Sequence, residues 1–211
     1  MIDVYLEVGD KRVFACAVDW PGWCRVGKDE RQALDALAAY AARYAPVADA
    51  AGVKFPATAG ENLNVVERVK GSGSTDFGVP GVVLERDTKP LTPAQAKRLP
   101  ALIEASWSLF DRVVERAPSA LRKGPRGGGR DRDKIVDHVL AAEAGYSERV
   151  GLRLDQPSRD DTRAIAANRA ELLDSIRHPL PNVKWPAAYA ARRIAWHVLD
   201  HAWEIRDRAE H

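Results

Sequence analysis

The hydrophobic period of this chain changes once, near residue 91, and that change restricts the folds open to it. Beyond Leu91-Thr92-Pro93 the apolar residues recur at helical spacing, as in Leu102, Ala105, Leu109 and Val113. Thr92 suits an N-cap and Pro93 the first helical position, where a missing N–H costs nothing. Helices are expected at about 93–117, 131–150, 160–177 and 187–209, with a polar loop between each pair. Four helices joined in this way are the pattern of a four-helix bundle. The first 70 residues read differently. Residues 3–8 and 12–18 are rich in Val, Tyr and Phe and alternate as strands, joined at Gly9-Asp10. Trp20-Pro21-Gly22-Trp23 is a turn, Cys24-Arg25-Val26 a short third strand, and 62–69 a further strand. Between them Asp29 caps a helix with the stripe Ala33, Leu34, Leu37, Ala38, Ala41, expected to run to Tyr44 and stop at Pro46. The organisation expected is an α+β domain over 1–70, a Gly/Ser-rich linker over 71–91, and an all-α four-helix bundle over 92–211.

Composition narrows the function. With 211 residues and a formal net charge of +2, the chain carries no global field that would draw it to nucleic acid or to an anionic membrane. No apolar run is long enough to span a bilayer, and Met1-Ile2-Asp3-Val4 lacks a secretion signal, so a cytoplasmic location is expected. Cys16 and Cys24 flank the Trp-Pro-Gly-Trp turn and can face each other across it. Two small, partly buried thiols is the preferred expectation over a disulfide.

Chemistry concentrates on histidines. His197 and His201 lie four residues apart in the last helix, on one face at about 3.6 residues per turn. Their neighbours Ile194, Val198 and Leu199 place that face beside the core. His138 lies in the second long helix among Ile135, Val139 and Leu140. In helical bundles, inward-projecting side chains on facing helices build metal sites. Three imidazoles leave a divalent ion one open position, which distinguishes a catalytic from a structural site. His178 precedes Pro179 in a loop and His211 is terminal, so both are set aside. Glu204 lies three residues beyond His201 and is the candidate catalytic or ligand-orienting carboxylate, with Asp200 and Glu143 behind it. The Gly-rich basic loop from Leu121 to Arg132 suits an anion, with Arg126, Arg130 and Arg132 as candidate substrate-binding residues. A solvated flexible loop has the same composition. The phosphate-loop spacing is absent, and no aromatics interleave the charge as nucleic-acid binding would require.

The segment 91–210, with His138 in its second helix and the His197-x-x-x-His201 pair in its fourth, resembles the DinB-like superfamily, also called the YfiT-type metal-dependent hydrolases. The resemblance implies a divalent metal, zinc or nickel, held by those three histidines. It also implies, through mycothiol-dependent maleylpyruvate isomerase and the bacillithiol transferases, a low-molecular-weight thiol as a second cofactor. Residues Val18 to Leu34, with their Pro21-Gly22 turn and polar helix start, resemble HicB-like antitoxin domains, a shortened ribonuclease-H-like fold that binds proteins. Here that unit runs on into helices and not into a DNA-binding segment, which implies a structural or substrate-covering module. Asp3, Asp19 and Glu30 do not form a nuclease carboxylate set. Two functions are therefore carried forward. One is a metal-dependent thiol S-transferase or hydrolase that activates a small thiol or water and acts on a small molecule, with a homodimer allowed. The other is a non-catalytic binding protein with an antitoxin-like module and a degenerate bundle.

Overall fold

The computed structural model describes residues 1–124 and 128–209. Strands β1 (Ile2–Val8), β2 (Val13–Ala17), β3 (Cys24–Gly27) and β4 (Leu63–Lys70) form one mixed sheet in the order β3-β2-β1-β4. β1 and β2 are an antiparallel hairpin closing at Val8 opposite Val13, and β4 lies parallel to β1. A parallel neighbour needs a crossover, and here it contains β3 and the helices α1 (Glu30–Ala39) and α2 (Ala41–Ala50). Consecutive residues of β1, Val4, Tyr5 and Leu6, are all buried, so both faces of the sheet are covered. Val4, Leu6, Val13 and Ala15 join the main core with Leu37 and Tyr44. Tyr5, Phe14, Cys16 and Cys24 form a second cluster closed by Leu84 and Trp196.

Two expectations are corrected in this half. The first helix does not stop at Pro46. The chain bends at Tyr40, and α2 continues through Pro46 to Ala50, buried along Tyr44, Val47 and Ala48. Burying those three side chains outweighs the one backbone bond that proline removes. The stop is Gly52, whose φ of +66° is left-handed; Val53 N–H then reaches back to Ala48 O at 2.9 Å, the Schellman closure that glycine permits. The second correction concerns the cysteines, which are joined as a disulfide and are not free thiols. The antiparallel register of β2 and β3 sets Cys16 directly opposite Cys24, with Cα atoms 4.1 Å apart. The intervening turn is pinned by Tyr44 OH donating to Pro21 O at 2.9 Å and Trp23 Nε1–H donating to Leu37 O at 2.9 Å.

Residues 71–91 are more ordered than a Gly/Ser loop suggests. They contain α3 (Gly73–Phe77) and a 3-10 turn at Glu85–Thr88. Glu7, fully buried in β1, accepts from Thr75 Oγ1 at 2.5 Å and from the backbone of Gly81 and Val82, each at 3.0 Å. Asp87 makes a buried two-point ion pair with Arg192, at 2.7 and 2.5 Å. A glycine-rich segment is held here by two buried carboxylates.

The remaining chain forms α4 (Pro93–Arg116), α5 (Arg132–Arg149), α6 (Thr162–Arg177) and α7 (Ala187–Ala209), all within about two residues of the sequence expectation. Thr92 and Gln95 close the capping box that starts α4. α7 packs on α4, α5 and α6, and its other side meets the sheet half. One apolar core therefore runs from Ile2 and Val4 through Trp23 and Tyr44 to Trp203 and Ile205. No helix among the described residues is long and apolar enough to cross a membrane.

Candidate metal centre

The centre forms where α5 crosses α7. α5 turns Ile135, Val139 and Leu140 into the core, which leaves His138 on the flank facing α7. α7 is buried on almost every side, and its residues 197 and 201 lie on the flank facing α5. The Nε2 atoms of His138 and His197 are 3.2 Å apart. Ligand nitrogens of His138, His197 and His201 all lie within 4.8 Å of one another. The three imidazoles stand edge to face, with ring centroids 4.7–5.1 Å apart.

Glu204 orients the third imidazole. Its Oε2 is 2.9 Å from His201 Nδ1, and its Oε1 accepts from Arg208 at 2.6 Å. An ionised carboxylate only accepts, so Nδ1 carries the proton of this bond and Nε2 is the nitrogen that could ligate a metal. The His201 bond, with help from Arg208, holds the Glu204 carboxyl below its ordinary range, so the acceptor stays charged. Burial pushes His197 well below the usual imidazole pKa, and the neighbouring His201, Arg193, His138 and Arg130 add to the shift. His138 is lowered by burial first, then by His201 and Arg130, with Glu204 opposing. Both rings are held neutral, the form that ligates a metal.

The other sequence candidates divide. The Arg130 charge reaches both His138 and His197. Arg132 is held by Asp133 and by the carbonyl of Ala117, each at 2.8 Å, so it braces the start of α5. Arg126 lies outside the described residues, as does His211. In the basic loop Lys123 pairs with Asp131, and Arg122 donates to Asp207 O at 3.0 Å. Arg122, Lys123, Arg208 and Glu204 line an open cavity of about 520 Å³ beside the histidines. Asp200 pairs with Arg25 of β3 at 2.9 Å. Glu143 is buried toward α6 with Arg169 at 3.3 Å, and burial raises its pKa. Exposed His178 meets Asp174 at 3.8 Å, away from the other histidines.

Two residues at the centre were not foreseen. Arg193 sits one turn before His197, and the ring of Tyr146 on α5 is 5.7 Å from that of His197. The series Tyr189, Arg193, His197, His201 runs in four-residue steps, and Tyr146 is eight residues beyond His138. The same helical period that paired the histidines therefore carried a signal for both. No protein-family model, curated protein or solved structure matches this chain.

Proposed function

We propose that His138, His197 and His201 hold one divalent metal ion, zinc or nickel, and that the chain is a metal-dependent enzyme of the thiol-transferase or hydrolase kind. The observation that carries this reading is the convergence of three imidazoles from two helices. Nitrogens about 2.0–2.1 Å from one ion in tetrahedral array are about 3.3 Å apart, and the 3.2 Å between His138 and His197 Nε2 fits. The Glu204–His201 bond is the carboxylate–histidine arrangement that fixes a ligand's tautomer. When bound, the ion supplies Lewis acidity and lowers the pKa of a water or thiol at its open position. The residues do the rest. Glu204 holds His201 in place through Oε2, and its Oε1 is held by Arg208. Arg130 brings positive charge to the same point. The likeness of the histidine pattern to the DinB-like superfamily supports this class, and with it a small thiol as co-substrate.

In this reading the N-terminal unit, whose sequence resembles HicB-like antitoxin domains, is a buttress and not a partner-binding antitoxin. Its β3 holds α7 through Arg25 and Asp200, and its second sheet face is closed by Trp196 of α7. Metal analysis of protein purified without added metal tests the proposal. About one equivalent of zinc or nickel is expected, absent from His197→Ala and His201→Ala. Metal-free protein that also fails to take up added zinc would leave the non-catalytic binding reading. Calorimetry of loaded protein with mycothiol, bacillithiol and glutathione then separates thiol chemistry from hydrolysis.

A further inference from the structure

We propose that Arg193 is the binding residue for a carboxylate carried by the small molecule that enters the histidine centre, so that the substrate or thiol of this site is an anion. This rests on the metal reading above and adds to it a residue and a chemical class. Arg193 precedes His197 by four residues on α7, which stacks the two side chains on one face with Cβ atoms about 6 Å apart. Its guanidinium lies 4.6 Å from the ring centroid of Trp196 and 5.3 Å from that of Tyr146. Tyr146 in turn is the ring beside His197, so the cation and the metal ligand share a wall.

Arg193 is the arginine beside the histidines that lacks an acceptor; Arg98, over Trp20 on α4, also has buried nitrogens without a partner. The NH1 of Arg193 is buried and has no hydrogen-bond partner, and among the described residues no carboxylate pairs with it. The neighbouring Arg192 is bound at two points by Asp87. Arg169 has Asp111 and Glu143, Arg25 has Asp200, and Arg208 has Glu204. Arg193 is half-buried, and a buried NH1 without an acceptor is costly. The two aromatic faces offset part of that cost by cation–π attraction. A π face accepts no conventional hydrogen bond, so the in-plane donors of the buried NH1 stay unused. An edge left free in this way is the shape that takes both oxygens of a carboxylate. The charge balance agrees. Arg193 and Arg130 both act on His197, while Glu204 is already engaged by His201 and Arg208. Two arginine charges therefore reach the centre before any ion arrives, and a divalent ion would add to them.

The test uses the full chain loaded with cobalt(II), whose visible absorption first reports whether the histidines hold metal. Mercaptoacetate and 2-mercaptoethanol, thiols of similar size that differ in the carboxylate, are then titrated, following the sulfur-to-cobalt charge-transfer band. The expectation is binding of mercaptoacetate about tenfold or more tighter than mercaptoethanol. In Arg193→Gln the preference falls to about twofold or less, with cobalt stoichiometry retained. Arg193→Met, which keeps the stem between the two rings, is the parallel variant if the first does not fold. Equal affinity for the two thiols in the native protein overturns the inference. So does a preference that survives in both variants, which would be simple chelation by mercaptoacetate. In either case cobalt binding leaves the metal reading standing, whereas failure to bind cobalt removes both.

Discussion

Glu204 offers the sharpest measure of how far the histidine cluster is organised for a metal. Its carboxylate does two things for His201. It accepts the Nδ1 proton at 2.9 Å, which leaves Nε2 as the nitrogen for a metal, and it places a negative charge one imidazole away from where an ion would sit. Carboxylates in this position typically govern metal affinity by 10–100-fold, or about 1.4–2.7 kcal/mol. Glu204→Gln keeps an oxygen that can accept from Nδ1 and loses only the charge, part of which Arg208 at 2.6 Å already neutralises. It belongs at the lower end, about tenfold. Glu204→Ala loses the acceptor as well and leaves Arg208, whose NH2 is already buried without a partner, with no anion. It belongs near the upper end, about 100-fold. His201→Ala removes a ligand and must be weaker than either. Competition for zinc against a chromophoric chelator at neutral pH ranks all four proteins. The reasoning is refuted if Glu204→Ala binds within threefold of the native protein, or if Glu204→Gln proves weaker than Glu204→Ala.

Other consequences are more structural. Asp87→Ala strands Arg192 in the interior, where the pair is now nearly fully buried; urea unfolding is expected to show a loss of about 3–5 kcal/mol. Cys16→Ala with Cys24→Ala opens a closure of eight residues, and the chain-entropy relation gives a loss of about 2.5 kcal/mol, read as a lower urea midpoint with an intact fold. Gly22→Ala requires a left-handed φ of +89° and puts a Cβ 2.5 Å from Leu199 Cδ1 and 3.0 Å from Ala195 O. A cost of at least about 2 kcal/mol is expected, together with weaker zinc binding, because the displaced backbone is the turn before His197. For pH, His138 and His197 are lowered in the folded state, so below their ordinary value of about 6.5 the unfolded chain binds more protons. Stability of the metal-free protein should fall on acidification through that range, and His138→Gln with His197→Gln should flatten the slope; an unchanged slope would contradict the burial argument.

The elements were legible because each is announced locally. The change of period at residue 91, the Thr92-Pro93 entry and the alternation in β1 and β2 found nearly every boundary. Pro46 misled because proline is read as a stop, whereas three buried side chains carried α2 across it. The disulfide was passed over because its register depends on how β2 and β3 pair across the turn, which is tertiary information. The segment 71–91 was read as plain linker because its ordering comes from Glu7 and Arg192, far away in sequence. Of the site, the i,i+4 histidines and Glu204 were readable from helical spacing alone. The arrival of His138 at their side depended on the crossing of α5 over α7, which its apolar neighbours Ile135, Val139 and Leu140 and the packing of helices in a bundle pointed to and spacing alone could not fix. Among the basic residues, sequence separates neither Arg132, spent on the Ala117 carbonyl, nor Arg193, which has no acceptor.

That last difference explains why α7 carries the candidate site. A helix buried nearly all round tolerates a charged residue only where another element supplies the opposite charge. On α7 most are met in this way, from widely separated places: Arg192 by Asp87, Asp200 by Arg25 of β3, and Asp207 by Arg43 of α2. These pairs bind the helix to the sheet half and fix its rotation, and that rotation decides which flank faces α5. The flank so presented carries His197, His201 and Arg193, and there the pattern stops. The two histidines meet a third, and the arginine meets aromatic rings but no acceptor. Replacing a residue of the first group should therefore lower stability and carry metal affinity down with it. Replacing His197, His201 or Arg193 should change what the protein binds while costing the fold far less.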